Sequence, residues 1–192
     1  MHDAERALLK HEAAAFQLRR DDRLAEALRE FGKALLNLEA WAKAGRAGLQ
    51  LRRAHLVAGE CGVLIDLEQL GQAGDKLSAE MAAIEQAGGM QEAEKQLAAA
   101  PLRCLLGLID LLMRRATTAR QQLTIGLEAM RTAEGRTSDS GALELRMEGF
   151  LAVALSMLGQ FDQAMPVLLR VAESLSHPLR LGFMRERFRH AQ

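Results

Sequence analysis

The residues of this chain best suited to hold a metal or act as nucleophiles are five histidines and two cysteines. A metal site on a helix needs ligands three or four residues apart, so that they share a face. His2, His11, His55, His177 and His190 show no such pairing, and no cysteine lies at that distance from any of them. His11–Glu12 begins a zinc-binding helix pattern but lacks its second histidine. A reactive cysteine needs a nearby cation or helix N-terminus to hold its thiolate. Cys61 and Cys104 instead sit in apolar helical stretches, where a reduced, buried thiol is expected. The glycines fall at the ends of apolar runs rather than in a strand–loop–helix phosphate cradle. We therefore expect a non-enzymatic protein with no cofactor and no metal.

Two basic stretches have the composition to hold phosphate or an acidic peptide. Lys43, Arg46, Arg52 and Arg53 occur with no acid between them. Arg180, Arg185, Arg187 and Arg189 cluster later, against only Glu186. Lys+Arg and Asp+Glu both number 25, however, giving a net charge of zero. Nucleic-acid domains are clearly basic, so nucleic acid is disfavoured as a partner. Aromatics make up 4%, too few for a stacking platform. The two stretches read as a solvated helix face and a polar cap. Leu102 to Met113, the most apolar segment, is about half the roughly 20 residues a membrane span needs, and Arg103 and Asp110 interrupt it. The first residues, MHDAERALLKHE, lack a signal-peptide pattern. We expect no membrane segment and a cytoplasmic location.

The elements that would position any site are all helical. Ala, Leu, Glu, Gln and Arg dominate, and these are strong helix formers. No β-branched run alternates with polar residues as a strand would. Apolar spacing of three and four predicts helices over about 3–20, 22–41, 47–70 and from there to Gln86. Further helices are expected over 91–115, broken or kinked at Pro101, over 118–133, to Leu158, and over 161–176. Glu134 to Gly141 reads as a loop, and a short last helix is expected over Leu179 to His190. The expected fold class is all-α, an antiparallel helix-pair solenoid of eight or nine helices. Its expected parts are an N-terminal pair (1–45), the repeats (46–178) and a capping helix (179–192).

The repeat shows in the string Leu-Ile-Asp-Leu, at 64–67 and again at 108–111, an offset of 44. Gly71 and Gly159 stand two such periods apart. A helix pair of this length cannot bury its own apolar face, and stacking the pairs buries it. Leu151, Ala152, Leu155, Gly159, Phe161, Ala164 and Leu168 then resemble one tetratricopeptide repeat, with Glu148 in place of the motif's tryptophan. Leu106, Gly107, Ala119 and Leu123 repeat part of the pattern. Units longer than the family's own period are similar to the sensor arrays of bacterial transcription regulators and to some secretion chaperones.

The resemblance implies a protein-binding scaffold or adaptor, with a regulator's sensor or oligomerisation module and a client-specific chaperone as alternatives. It also implies that the first helix of each pair lines a concave surface. Carried over, that surface holds Ala58, Cys61, Ile65, Glu68 and Gln69, then Leu102, Leu105, Ile109, Leu112 and Met113, then Arg146, Gly149, Val153, Ser156 and Met157. The expected partner-binding residues are Ile65, Leu105, Ile109, Leu112, Met113, Arg146, Val153 and Met157. The middle of this groove is apolar, so the expected ligand is an apolar helix or extended segment. It would come from another protein, from a second copy in a homodimer, or from the chain's own N-terminal helices. The other reading of Leu102 to Met113 is a central helix buried on all sides.

Overall fold

The computed structural model describes residues 3–43, 48–132 and 138–176. Among these, all regular structure is helical: α1 (Asp3–Arg20), α2 (Leu24–Lys43), α3 (Gln50–Asp66), α4 (Leu70–Gln86), α5 (Glu92–Leu112), α6 (Ala116–Thr132), α7 (Ser138–Met157) and α8 (Phe161–Ser176). The helix expected over Leu179 to His190 lies outside the described residues. Consecutive helices pack in antiparallel pairs, and α5 lies against both α3 and α7, the first helices of the pairs on either side. The fold is an all-α helix-pair solenoid. Helix α5 runs unbroken through Pro101, where a break or kink was expected. Pro101 removes one backbone donor. Burial of Ala98, Ala99, Ala100, Leu102, Cys104 and Leu105 around it holds the helix together.

One turn is built four times. Asp22, Glu68, Arg114 and Gly159 all have a left-handed backbone, with φ of 59°, 61°, 60° and 71°. In each turn the next residue's N–H reaches back to a carbonyl five residues earlier. Arg23 donates to Leu18 at 2.8 Å, Gln69 to Leu64 at 2.8 Å, Arg115 to Asp110 at 2.7 Å and Gln160 to Leu155 at 2.9 Å. This is the Schellman ending, which satisfies carbonyls that the last helical turn leaves open. The four turns are spaced 46, 46 and 45 residues apart.

That spacing corrects the 44-residue register. Leu64 corresponds to Asp110, not to Leu108, so the Leu-Ile-Asp-Leu echo is two residues out of phase. Gly71 lies inside α4, and the counterpart of Gly159 is Glu68. Asp22 follows α1 in the left-handed conformation and so belongs to its ending.

The small residues do keep register. Seven residues before each left-handed position stand Ala15, Cys61, Gly107 and Ala152. Twelve residues beyond those stand Ala27, Ala73, Ala119 and Ala164. All eight are buried. At Gly107 a Cβ would fall 2.7 Å from Leu123 Cγ on α6, so only glycine fits there without moving a buried leucine. The pair α1–α2 carries the same turn and the same small residues, which makes it a first unit of the array.

The core is segmented in the same way. One cluster joins Leu8, Phe31 and Leu38 of α1 and α2 to Leu56 and Val63 of α3. A second joins Cys61, Leu64, Leu77 and Ile84 of α3 and α4 to Leu102, Leu105 and Ile109 of α5. A third joins Cys104, Leu123 and Leu127 of α5 and α6 to Met147 of α7. Each pair's core is therefore closed by the first helix of the next pair.

Three of the four turns place a non-glycine residue where a Cβ crowds the backbone, at a cost of about 1–2 kcal/mol each. Glu68 is exposed and its turn is otherwise regular. Glu68→Gly is expected to raise stability by up to about 1 kcal/mol after glycine's own entropy cost. Chemical denaturation measures this, and a clear loss of stability would show that the Glu68 side chain holds the turn.

Candidate functional site

The structure divides the expected groove in two. Leu105 and Ile109 are buried in the central cluster, together with Ala58, Cys61 and Leu102. Ile65 is half-buried and packs against that cluster. These residues are core. The cause is tertiary: α3 and α4 pack on α5 and enclose this stretch of it in one apolar cluster. The reading of α5 as a central buried helix therefore holds as far as Asp110, which is itself buried. Leu112 and Met113, one turn further, are exposed, as are Val153 and Met157 on α7. Arg146 is half-buried, and its charge acts on the Cys104 thiol, so it belongs with the α5–α7 contact.

The exposed apolar residues gather toward the carboxyl ends of two adjoining helices. The position two residues before the left-handed turn is Arg20 in the first unit, Asp66 in the second, Leu112 in the third and Met157 in the fourth. The same place in the fold thus changes from charged to apolar along the array. Beside Met157 lies an open cleft of about 510 Å³, bounded by Arg114, Arg115, Thr117 and Thr118 of the α5–α6 turn and by Leu158. Arg115 is held by the buried Asp110 at 2.6 Å. Arg120 donates to Gln160 at 3.1 Å and ties α6 to the α7–α8 turn. The surface is therefore apolar with a cationic edge. It suits an amphipathic segment that carries acids along one side.

The sequence reading missed a second group of exposed apolar side chains. Phe161 and Leu168, two residues of the repeat motif, are exposed, together with Met165 and Leu169. Helix α8 turns Ala164, Val167 and Val171 inward instead. The signal was present, because apolar residues occupy more than one side of α8.

The basic stretch before and within α3 is not a plain solvated face. Arg52 meets Glu12 of α1 at 2.5 Å. Arg53 bridges Glu39 of α2 at 3.2 Å and the buried Glu80 of α4 at 2.9 Å. These arginines tie helices together. The later cluster from Arg180 to Arg189 lies outside the described residues.

Both cysteines are free and buried. Burial pushes the Cys61 thiol up to about 12, and Glu60 and Glu80 push the same way against Lys76. Burial pushes Cys104 up to about 12, against the charge of Arg146. Among the described residues no three His, Cys, Asp or Glu side chains are placed to hold a metal ion. No described helix is long and apolar enough to cross a membrane.

Two outcomes follow. Leu105→Asp puts an unpaired carboxylate in the core and should cost more than about 4 kcal/mol, whereas Leu112→Asp should stay within about 0.5 kcal/mol of the parent. Thermal melts of the two variants test this, and equal losses would make Leu112 core as well. Both thiols favour their neutral form more when folded than in the open chain, where the value is 9.0. The stability they supply is complete below pH 9 and is lost as pH rises toward 12. At pH 8 a bulky maleimide should label the native protein far more slowly than the denatured chain, and equal rates would contradict the burial.

No family model matches the chain, and no curated protein matches it, so the surface is assigned by its geometry alone.

Proposed function

We propose that this chain is a non-enzymatic, cytoplasmic protein-binding adaptor of the tetratricopeptide-like kind. Its docking surface is formed by Leu112, Met113, Val153 and Met157. The family reading is supported by the small residue and the alanine twelve residues apart in all four units. The motif's next large residue is matched by Phe31, Leu77, Leu123 and Leu168. One observation carries the functional reading. Apolar side chains occupy exposed places in the last two units where the first two carry Arg20 and Asp66. Single exposed apolar residues need no explanation, but a group on adjoining helices beside a cleft fits a contact surface. Methionine at two of the four places adapts to an irregular partner.

The ligand class is an apolar helix or extended segment of another protein, with acids on the side that meets Arg114. Of the eight residues expected in the groove, this retains Leu112, Met113, Val153 and Met157 and drops Ile65, Leu105, Ile109 and Arg146.

Val153→Asp combined with Met157→Asp is the test. Affinity purification from the native cell should recover a defined partner with the parent chain and lose it with the variant, while the circular dichroism spectrum is unchanged. Recovery of the same partner by both would overturn the surface. Loss of a dimer in sedimentation, rather than of a different protein, would give the surface to a second copy of the chain.

A further inference from the structure

The first and third units hold a hydrogen bond at the same place in the fold. It joins the residue eleven before the left-handed turn to the residue eight beyond it. In the first unit His11 Nδ1 meets the carboxylate of Glu30 at 2.6 Å. In the third, Arg103 Nη1 donates to the amide oxygen of Gln122 at 2.9 Å. The third unit thus sets a full cation against a neutral amide where the first unit supplies a carboxylate. In the second unit the place of Arg103 is taken by the buried, apolar Val57, and in the fourth by Glu148, which meets Arg131 at 2.8 Å. Among the described residues no carboxylate pairs with Arg103, and its Nε is buried without an acceptor. Buried donors are normally paired. Arg52 has a similar Nε, but its guanidinium meets Glu12 at 2.5 Å. Burial works against the charge on Arg103, and Glu85 of α4 works for it without bonding to it.

Arg103 bounds a cavity of about 150 Å³ between α4 and α5. Met81 and Ile84 of α4 and Ala99 of α5 give it an apolar wall. Glu85, Glu92 and Lys95 complete its lining, and Lys95 donates to the Glu85 backbone carbonyl at 2.8 Å. A cavity of this size holds a molecule about as large as benzene. A guanidinium binds a carboxylate through two parallel N–H bonds. With Nη1 taken by Gln122, the Nε–Nη2 side is the one left for it. The two carboxylates in the lining offset its two cations, which disfavours a dianion such as phosphate.

We propose that the cavity between α4 and α5 binds a small aliphatic monocarboxylate, its carboxylate on Arg103 and its chain against Met81, Ile84 and Ala99. The site lies along Glu92 to Arg103 of α5, away from Leu112 and Met113, so it stands or falls independently of the partner surface.

The test titrates the full chain with butanoate and follows the Arg103 Nε–H resonance, assigned by its loss in Arg103→Lys. Butanoate should shift it saturably, in the millimolar range that so small a ligand reaches, and butanol should not. No saturable shift, or the same shift with butanol, would overturn the proposal. Gln122→Glu restores the carboxylate that the first unit carries as Glu30. This variant should raise the melting temperature and lose the butanoate response, and an unchanged response would overturn the site. Tighter binding of a capped Ala-Glu-Ala peptide than of butanoate would overturn the free acid and give the cavity to an acidic side chain.

Discussion

The distance at which two helices of a pair can cross governs the rest of this array. Ala15, Cys61, Gly107 and Ala152 on the first helices, with Ala27, Ala73, Ala119 and Ala164 on the second, are small and buried. Small side chains at a crossing let helix axes approach closely, and close approach is what lets the larger residues one turn away interlock. The turn imposes the same geometry from the other side. A left-handed residue followed by the five-residue backbone bond reverses the chain within three residues, so the second helix starts at a set height and rotation. The identity of the residue at each small position matters less than its volume. This explains a cysteine at position 61: it occupies a packing place where the other units use alanine or glycine.

Because a pair is only two helices, it cannot enclose a core, and each buried cluster borrows a helix from the next unit. Two consequences follow. Helix α5, in the middle, is covered from several directions, so its leucines are structural as far as Asp110. At the α7–α8 end the borrowing stops among the described residues, and apolar side chains that would be core elsewhere in the array face outward. The apolar surface of this protein thus follows from stacking.

How much of this could be read from the sequence depends on what decides each feature. Among the described residues the helices followed from apolar spacing, and most boundaries fell within a few residues. Ala152 with Ala164, and Gly107 with Ala119, were legible because size is written in the residue type. The register was not legible, because Glu68 and Arg114 have no marked preference for the left-handed region, and Asp22, of a type enriched there, serves equally well in other turns and caps. Only Gly159 announces its turn, and pairing it with Gly71 pointed to the wrong period. The leucine-rich composition then supplied a four-residue echo by chance. The split of the groove at Asp110 was hidden for another reason. Leu105 and Leu112 lie on similar stretches of one helix, and only the packing of α3 and α4 against α5 separates them.

The ionic contacts do what the apolar ones leave undone. The small-residue crossings are nearly the same in every unit, so they alone would accept a misplaced stack. The charges differ from unit to unit. Arg19 meets Asp66 at 2.7 Å, Lys76 meets Glu60 at 2.5 Å, and Arg53 joins Glu39 and Glu80. Glu148 of α7 accepts from Arg131 of α6 at 2.8 Å and from Arg170 of α8 at 3.4 Å. Burying such pairs adds little net stability, since desolvation offsets the attraction. Leaving one partner buried and alone costs about 3–5 kcal/mol. A slip of α3 or α7 by one turn would strand Glu80 or Glu148 in this way, while the apolar contacts would lose far less. The repeated small residues therefore set how closely helices pack, and the unrepeated charges set which helix packs where.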